Sequence, residues 1–164
     1  MTKKLSVAKI RAISLVSVIL LIIADQIIKH FVCLYLKPIG SINIIPKILS
    51  FTYVENDGAM FGMMSGKIGI MTVLAVICAV GILFLLFSGK LGYSFEYVLI
   101  LLMFSGGIGN IIDRIARGFV VDYIEVLFVD FYVFNFADCL ITCSAILIII
   151  YQIYLIYKGK KQKT

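Results

Sequence analysis

"IGIMTVLAVICAVGILFLLFS", residues 68–88, runs for 21 residues without one charge. At about 1.5 Å of rise per residue, a helix of that length covers roughly 30 Å, the thickness of a bilayer's hydrocarbon core. A helix apolar all round has no use for water, so this stretch reads as a membrane span. Three further apolar runs flank it. One extends from about Ile10 to Leu36, broken by Asp25, Lys29 and His30; one from Tyr97 to Ile112; one from Phe136 to Tyr157. The first resembles a signal peptide in having basic residues ahead of an apolar stretch. No small-x-small cleavage pattern follows it, so it reads as a retained helix.

Composition agrees with this. Of the 164 residues, 62% are hydrophobic and 15% charged, and the mean hydropathy is +1.11. A soluble domain could not cover that much apolar surface, so residues 1–164 are expected to form one polytopic membrane domain. The net charge of +6 comes largely from the two ends, Lys3, Lys4, Lys9 and Arg11 at one and Lys158, Lys160, Lys161 and Lys163 at the other. Basic residues just outside apolar spans hold those ends in the cytoplasm, and four spans return both termini to one side. There is no basic surface interleaved with aromatic residues, so nucleic acid is not an expected partner. On this topology residues 37–67 and 113–135 lie on the outer face, and "GKLGYSFE" (89–96) is a short cytoplasmic turn. The outer segments do not read as helices. "SFTYVE" (50–55) is β-prone and runs into "NDG", a turn former. "FVVDYIEVLFVDFYVF" (119–134) is rich in β-branched and aromatic residues, with Asp130 at a turn. A small sheet on the outer leaflet would account for both.

Cys33, Cys78, Cys139 and Cys143 include no C-x-x-C, and His30 is the only histidine. They read as small packing residues, and no metal site is expected. Ionisable groups at membrane depth cost about 2.5–3.5 kcal/mol each on insertion scales, so each calls for a partner or a task. Asp25 and Lys29 are four apart with the acid first, the favourable order for a helical ion pair; the pair either neutralises itself or lines a polar cavity. Asn56 in "NDGAMFG" is either a turn residue or an amide that meets a peptide backbone. Gly106, Gly107 and Gly109 leave room for another backbone or a ligand beside the third helix. Asn110, Asp113 and Arg114 fall near one helical face, where Arg114 could pair with Asp113 at the interface. Asn135 and Asp138 suit an N-cap and an acidic third residue. That leaves Asp122, a carboxylate that contributes nothing to the packing of a β-prone stretch.

If the sheet brings Asp122 over the start of the fourth helix, two carboxylates meet and tend to hold one proton between them. One can then take a proton from water while the other polarises a carbonyl and later protonates the leaving amine, with no metal or cofactor. Arg114, Asn110 and Asn135 would orient the pair. A cation or proton transporter using the same acids is the rival reading.

The motifs D-Q-x-x-K (Asp25–Lys29), N-x-G-A (Asn56, Gly58, Ala59), G-N-x-x-D-R with G-x-V-V-D (Gly109–Arg114, Gly118–Asp122) and F-N-x-A-D (Phe134–Asp138) occur in this order. In this the chain resembles the lipoprotein signal peptidases, the type II signal peptidases of bacteria. The resemblance implies an all-α integral membrane protein of four transmembrane helices with a small β-rich extracytoplasmic cradle and a mobile outer loop. It implies Asp122 and Asp138 as the catalytic pair. Asn56, Arg114 and Asn135 are implied as direct substrate contacts, and Asp25, Lys29, Gly58, Asn110 and Asp113 as binding or supporting positions. The implied substrate is a prolipoprotein whose cysteine carries diacylglycerol, cut just before that cysteine. Membrane lipid and globomycin-type cyclic depsipeptide inhibitors are the other implied partners. Cys139 stands where the family often has serine. A location in the bacterial cell membrane follows, with the site near the outer leaflet and both termini inside. The Met- and Gly-rich stretch from Asn56 to Met64 is expected to act as a lid.

Overall fold

The least apolar of the four helices is the one the others pack against. In the computed structural model, which describes residues 6–58 and 67–161, α1 is Val7–Phe31, α2 Ile68–Phe87, α3 Phe95–Arg117 and α4 Phe136–Lys161. Its last turns carry α1 on as a wider, π-type helix to Leu36. Each is long and apolar enough to cross a membrane. The most apolar window of α3 has a mean hydropathy of only 1.7, yet 39% of it is buried, against 6–11% for the other three. In lipid the surface is apolar, so the polar face of a helix turns inward. α1, α2 and α4 all pack on α3, and α1 and α2 barely touch each other.

Local signals set the helix ends. Ser6 and Ser94 cap α1 and α3, each hydroxyl accepting from a backbone N–H three residues on. Gly118 stops α3 in the left-handed region at φ 79°. The third helix therefore runs five residues past its expected end at Ile112, and 113–117 does not belong to the outer segment. The polar cluster continues the helix because Arg117 pairs with Asp113 one turn back at 3.3 Å, and Lys29 neutralises the same acid.

Three antiparallel strands, β1 (Ser41–Ile45), β2 (Leu49–Asn56) and β3 (Val120–Val126), form a sheet in that order. Ser41 stands opposite Thr52, and Ser50 opposite Glu125. The hydroxyls of Ser41, Ser50 and Thr52 bond one another, and Thr52 donates to Glu125. The expected strand region 119–134 yields one strand only. After Val126 the chain turns, and Phe134 returns to make a single bridge to Ile124. Cys78 and Cys143 face outward instead of filling the packing, while Cys33 and Cys139 are half-buried; all four are free thiols.

The α3 glycines serve helix contacts. A Cβ on Gly106 would collide with the backbone carbonyl oxygen of Ala137 in α4, and one on Gly109 would sit 2.6 Å from the Asp25 carboxylate. Only at Gly107 is there open space. Gly106→Ala should therefore force α3 and α4 apart at an overpacking cost of about 1–3 kcal/mol. Gly107→Ala should gain roughly 0.5–1 kcal/mol of helix propensity. Thermal unfolding of the two variants in micelles checks this; a Gly106→Ala protein as stable as the parent would refute the close contact.

Candidate active site

The end of β3 and the start of α4 meet at one asparagine. The N–H groups of Tyr123 and Ile124 both donate to the Phe134 carbonyl, at 3.0 and 2.7 Å, and so draw the entry of α4 onto β3. Asn135 follows directly. Its side-chain oxygen accepts the Asp138 N–H at 2.9 Å, while an Asp138 oxygen accepts the Asn135 N–H at 3.2 Å, a reciprocal helix cap. The Asn135 amide also reaches outward, donating to Asp122 at 2.6 Å and to the side-chain oxygen of Asn110 at 3.2 Å. Asn110 donates to the other Asp138 oxygen at 2.7 Å. Asn56 donates to the second Asp122 oxygen at 2.8 Å, and its own oxygen takes the Gly58 N–H at 3.0 Å. Asn56 is thus both a turn residue and an amide donor, and its donor is used on Asp122. All four carboxylate oxygens of Asp122 and Asp138 accept one amide N–H, and two asparagines bridge the acids.

Behind them lies a buried ion cluster. Lys29, fully buried, makes contacts of 3.0 Å with Asp25, 3.0 Å with Asp113 and 2.9 Å with the Asn110 oxygen. Asp113 in turn accepts the Val121 N–H at 3.1 Å. One arm of the cluster therefore holds the strand residue next to Asp122, and the other orients the amide that serves Asp138. The expected Arg114–Asp113 pair does not form, because neighbours on a helix point about 100° apart. Asp113 is taken by Lys29 and Arg117. Gln26, inside D-Q-x-x-K, has a role beyond the Asp25–Lys29 pair: it donates to Asp25, to Asp113 and to the Gly109 carbonyl. Its signal was an amide within an apolar run.

In front is a cavity of about 690 Å³ whose walls include Asn56, Gly58, Asn110, Arg114, Asp122 and Asp138. Asn135 sits just behind that wall, and Asp25, Lys29 and Asp113 lie deeper, so the Asp25–Lys29 pair does not line the cavity. The half-buried Arg114 presents a guanidinium whose Nε has no hydrogen-bond partner among the described residues, although its charge acts on both Asp138 and Asp122. Phe131, Tyr132 and Phe134 add an aromatic wall, of which the motif F-N-x-A-D signals Phe134 alone. Asn56 to Gly58 of the expected lid lie at the cavity; its remainder, 59–64, falls outside the described residues.

Burial first, and then the charge on Asp138, push the Asp122 carboxyl up to about 6, against the pull of the Asn56 and Asn135 amides. Glu55, also at the cavity, is held below the usual carboxylate range by its contact with Lys37.

Four helices able to cross a membrane, a small antiparallel sheet and a buried carboxylate pair opening onto a cavity define a polytopic membrane protein with an acidic site. Residues 17–154 match the family model described as signal peptidase (SPase) II. The lipoprotein signal peptidase of Lactobacillus johnsonii is 35% identical over 88% of this chain and 94% of its own. That of Clostridioides difficile is 36% identical over 87% and 96%. A solved bacterial membrane enzyme, 33% identical, superposes with a TM-score of 0.79 over 94% of this chain and 93% of that one. The chain belongs to the signal peptidase II family, and is a multi-pass membrane peptidase of bacterial type.

Proposed function

We propose that this protein removes the signal peptide from diacylglyceryl-modified prolipoproteins by aspartic peptidase chemistry, cutting before the lipidated cysteine. The observation that carries the reading is the placement of Asp122 and Asp138 on one cavity, each wrapped by amide donors and joined through Asn110 and Asn135. Asp138, at the positive N-terminal end of α4 with both oxygens accepting N–H bonds, is the ionised member. Asp122 carries the shared proton. As water adds to the scissile carbonyl carbon, Asp138 takes a water proton and Asp122 protonates the carbonyl oxygen. Collapse of the resulting diol breaks the C–N bond, with Asp138 returning its proton to the leaving nitrogen and Asp122 recovering its own. Arg114, on the cavity wall, offers a guanidinium donor to a substrate carbonyl. Asn56 supports Asp122, and Asn135 holds both acids. The substrate's acyl chains stay in the outer leaflet beside the cavity, with both termini of the enzyme in the cytoplasm.

A gel-shift assay with a diacylglyceryl-modified precursor and its unmodified form tests the reading: only the lipidated form should be shortened. Equal cleavage of both, or of neither, would overturn it. The proton assignment also fixes a pH dependence. Raising the pH past about 6 strips Asp122 of its proton and leaves two anions, so kcat/KM should fall on the alkaline side of that value. Because folding raises this carboxyl from 3.8, the folded state also binds its proton more tightly, and stability should decline as pH rises between about 4 and 6. A kcat/KM that climbs through this range would reverse the two roles.

A further inference from the structure

At the end of the bundle away from Asp122, α1 and α2 both lean on α3 without closing on each other, and a slot of about 110 Å³ remains between them. Its inner part is hydrocarbon: Leu15 and Val18 from α1, Leu83 from α2, Leu101 and Phe104 from α3. Its mouth is not. Arg11 stands there exposed, 5.9 Å from the centre of the Phe87 ring, with no acidic partner among the described residues. One helical turn deeper, buried Ser14 lines the same slot and accepts a hydrogen bond from Tyr97 at 3.2 Å. That leaves the Ser14 hydroxyl proton without an acceptor among the described residues.

These three layers, a cation, then a hydroxyl donor about 4.5 Å further in, then an apolar channel, follow the order of groups along a phospholipid. We propose that the slot is a phospholipid site. The phosphate pairs with Arg11, a glycerol ester carbonyl accepts from Ser14, and the upper methylenes of one acyl chain fill the space over Leu101 and Phe104. An unpaired guanidinium recognises phosphate as a forked donor, and the bound lipid would bridge α1 to α2, which otherwise share little surface. Its net positive charge favours an anionic lipid such as phosphatidylglycerol.

Native mass spectrometry of the full chain released from micelles tests this, with phosphatidylglycerol and diacylglycerol of identical acyl chains as probes. The parent should retain one phosphatidylglycerol in preference to diacylglycerol. Arg11→Gln should weaken phosphatidylglycerol retention about tenfold, the scale of one charged hydrogen bond, and leave diacylglycerol retention unchanged. Ser14→Ala should weaken both. A phosphatidylglycerol carrying a photoreactive acyl group should label the Leu83–Phe87 stretch in the parent and lose that label in Arg11→Gln. Equal retention of the two lipids by the parent, or parent-like retention and labelling in Arg11→Gln, would overturn the site. Arg11 is remote from the carboxylate pair, so precursor cleavage by Arg11→Gln should match the parent whichever way the lipid result falls.

Discussion

Asp122→Asn and Asp138→Asn should each reduce cleavage of a lipidated precursor by about 10²–10⁴-fold or more, the range that a positioned proton donor or acceptor supplies. Both substitutions keep size and shape while removing the titratable oxygen. Each also creates a local conflict. Both oxygens of Asp122 accept from amide NH₂ groups, those of Asn135 and Asn56, and both oxygens of Asp138 accept from N–H donors. A carboxamide in either place offers one acceptor and one donor, so one of the two existing donors loses its partner. The expected cost is about 1–3 kcal/mol, the penalty for one buried unsatisfied group, which a folded membrane protein can survive. Insertion and thermal unfolding should therefore stay measurable while turnover disappears. Retained turnover in either variant would remove that residue from the pair. The rival transporter reading separates in the same preparation, since it requires proton or cation flux across liposomes and no shortened precursor.

Much of this was legible in the sequence because hydrocarbon imposes a simple rule on it. Long, mostly apolar runs mark all four helices, and the β-branched stretches mark β2 and β3. Where polar residues entered a helix the rule failed. The third helix was cut at Ile112 because Asp113, Arg114 and Arg117 look like an interface, whereas a lysine from α1 makes their depth tolerable. No local pattern in α3 announces that lysine. β1 was unread, although the alternation in "SINI" ahead of Pro46 was a usable signal. The same limit applies to the site. Each polar residue could be seen as costly where it stood, and the cap at Asn135 and Asp138 was visible from spacing. That Asn135 would spend its remaining N–H groups on Asp122 and Asn110 depends on β3 being folded onto the entry of α4, a contact made by the backbone of Phe134. Of the three glycines, Gly106 and Gly109 are places of close approach, to the Ala137 backbone and the Asp25 carboxylate, while Gly107 faces open space.

Lys29→Met should be the most damaging change outside the carboxylate pair. It leaves Asp25 and Asp113 buried without their shared cation, and Arg117 reaches only Asp113. Breaking a buried pair by removing one partner costs about 3–5 kcal/mol. The loss of activity should have a second origin. Lys29 holds the Asn110 oxygen at 2.9 Å, which keeps the Asn110 NH₂ turned toward Asp138. Without that contact the Asn110 oxygen keeps only the longer 3.2 Å bond from Asn135, so the amide can turn off Asp138 and displace a reacting group by about 1 Å, a shift worth roughly 10²-fold in rate. That effect should fall on kcat and leave KM near the parent value, and loss of the cation whose charge holds the Asp122 carboxyl down should move the alkaline limb of the pH profile upward. The double change Lys29→Met with Asp25→Asn separates the two origins. It removes one anion together with the cation and leaves Asp113 paired with Arg117, so thermal stability should recover toward the parent. Turnover should remain low, because the double change does not restore the Lys29 bond to Asn110. Recovery of kcat along with stability would mean that Lys29 serves the fold alone.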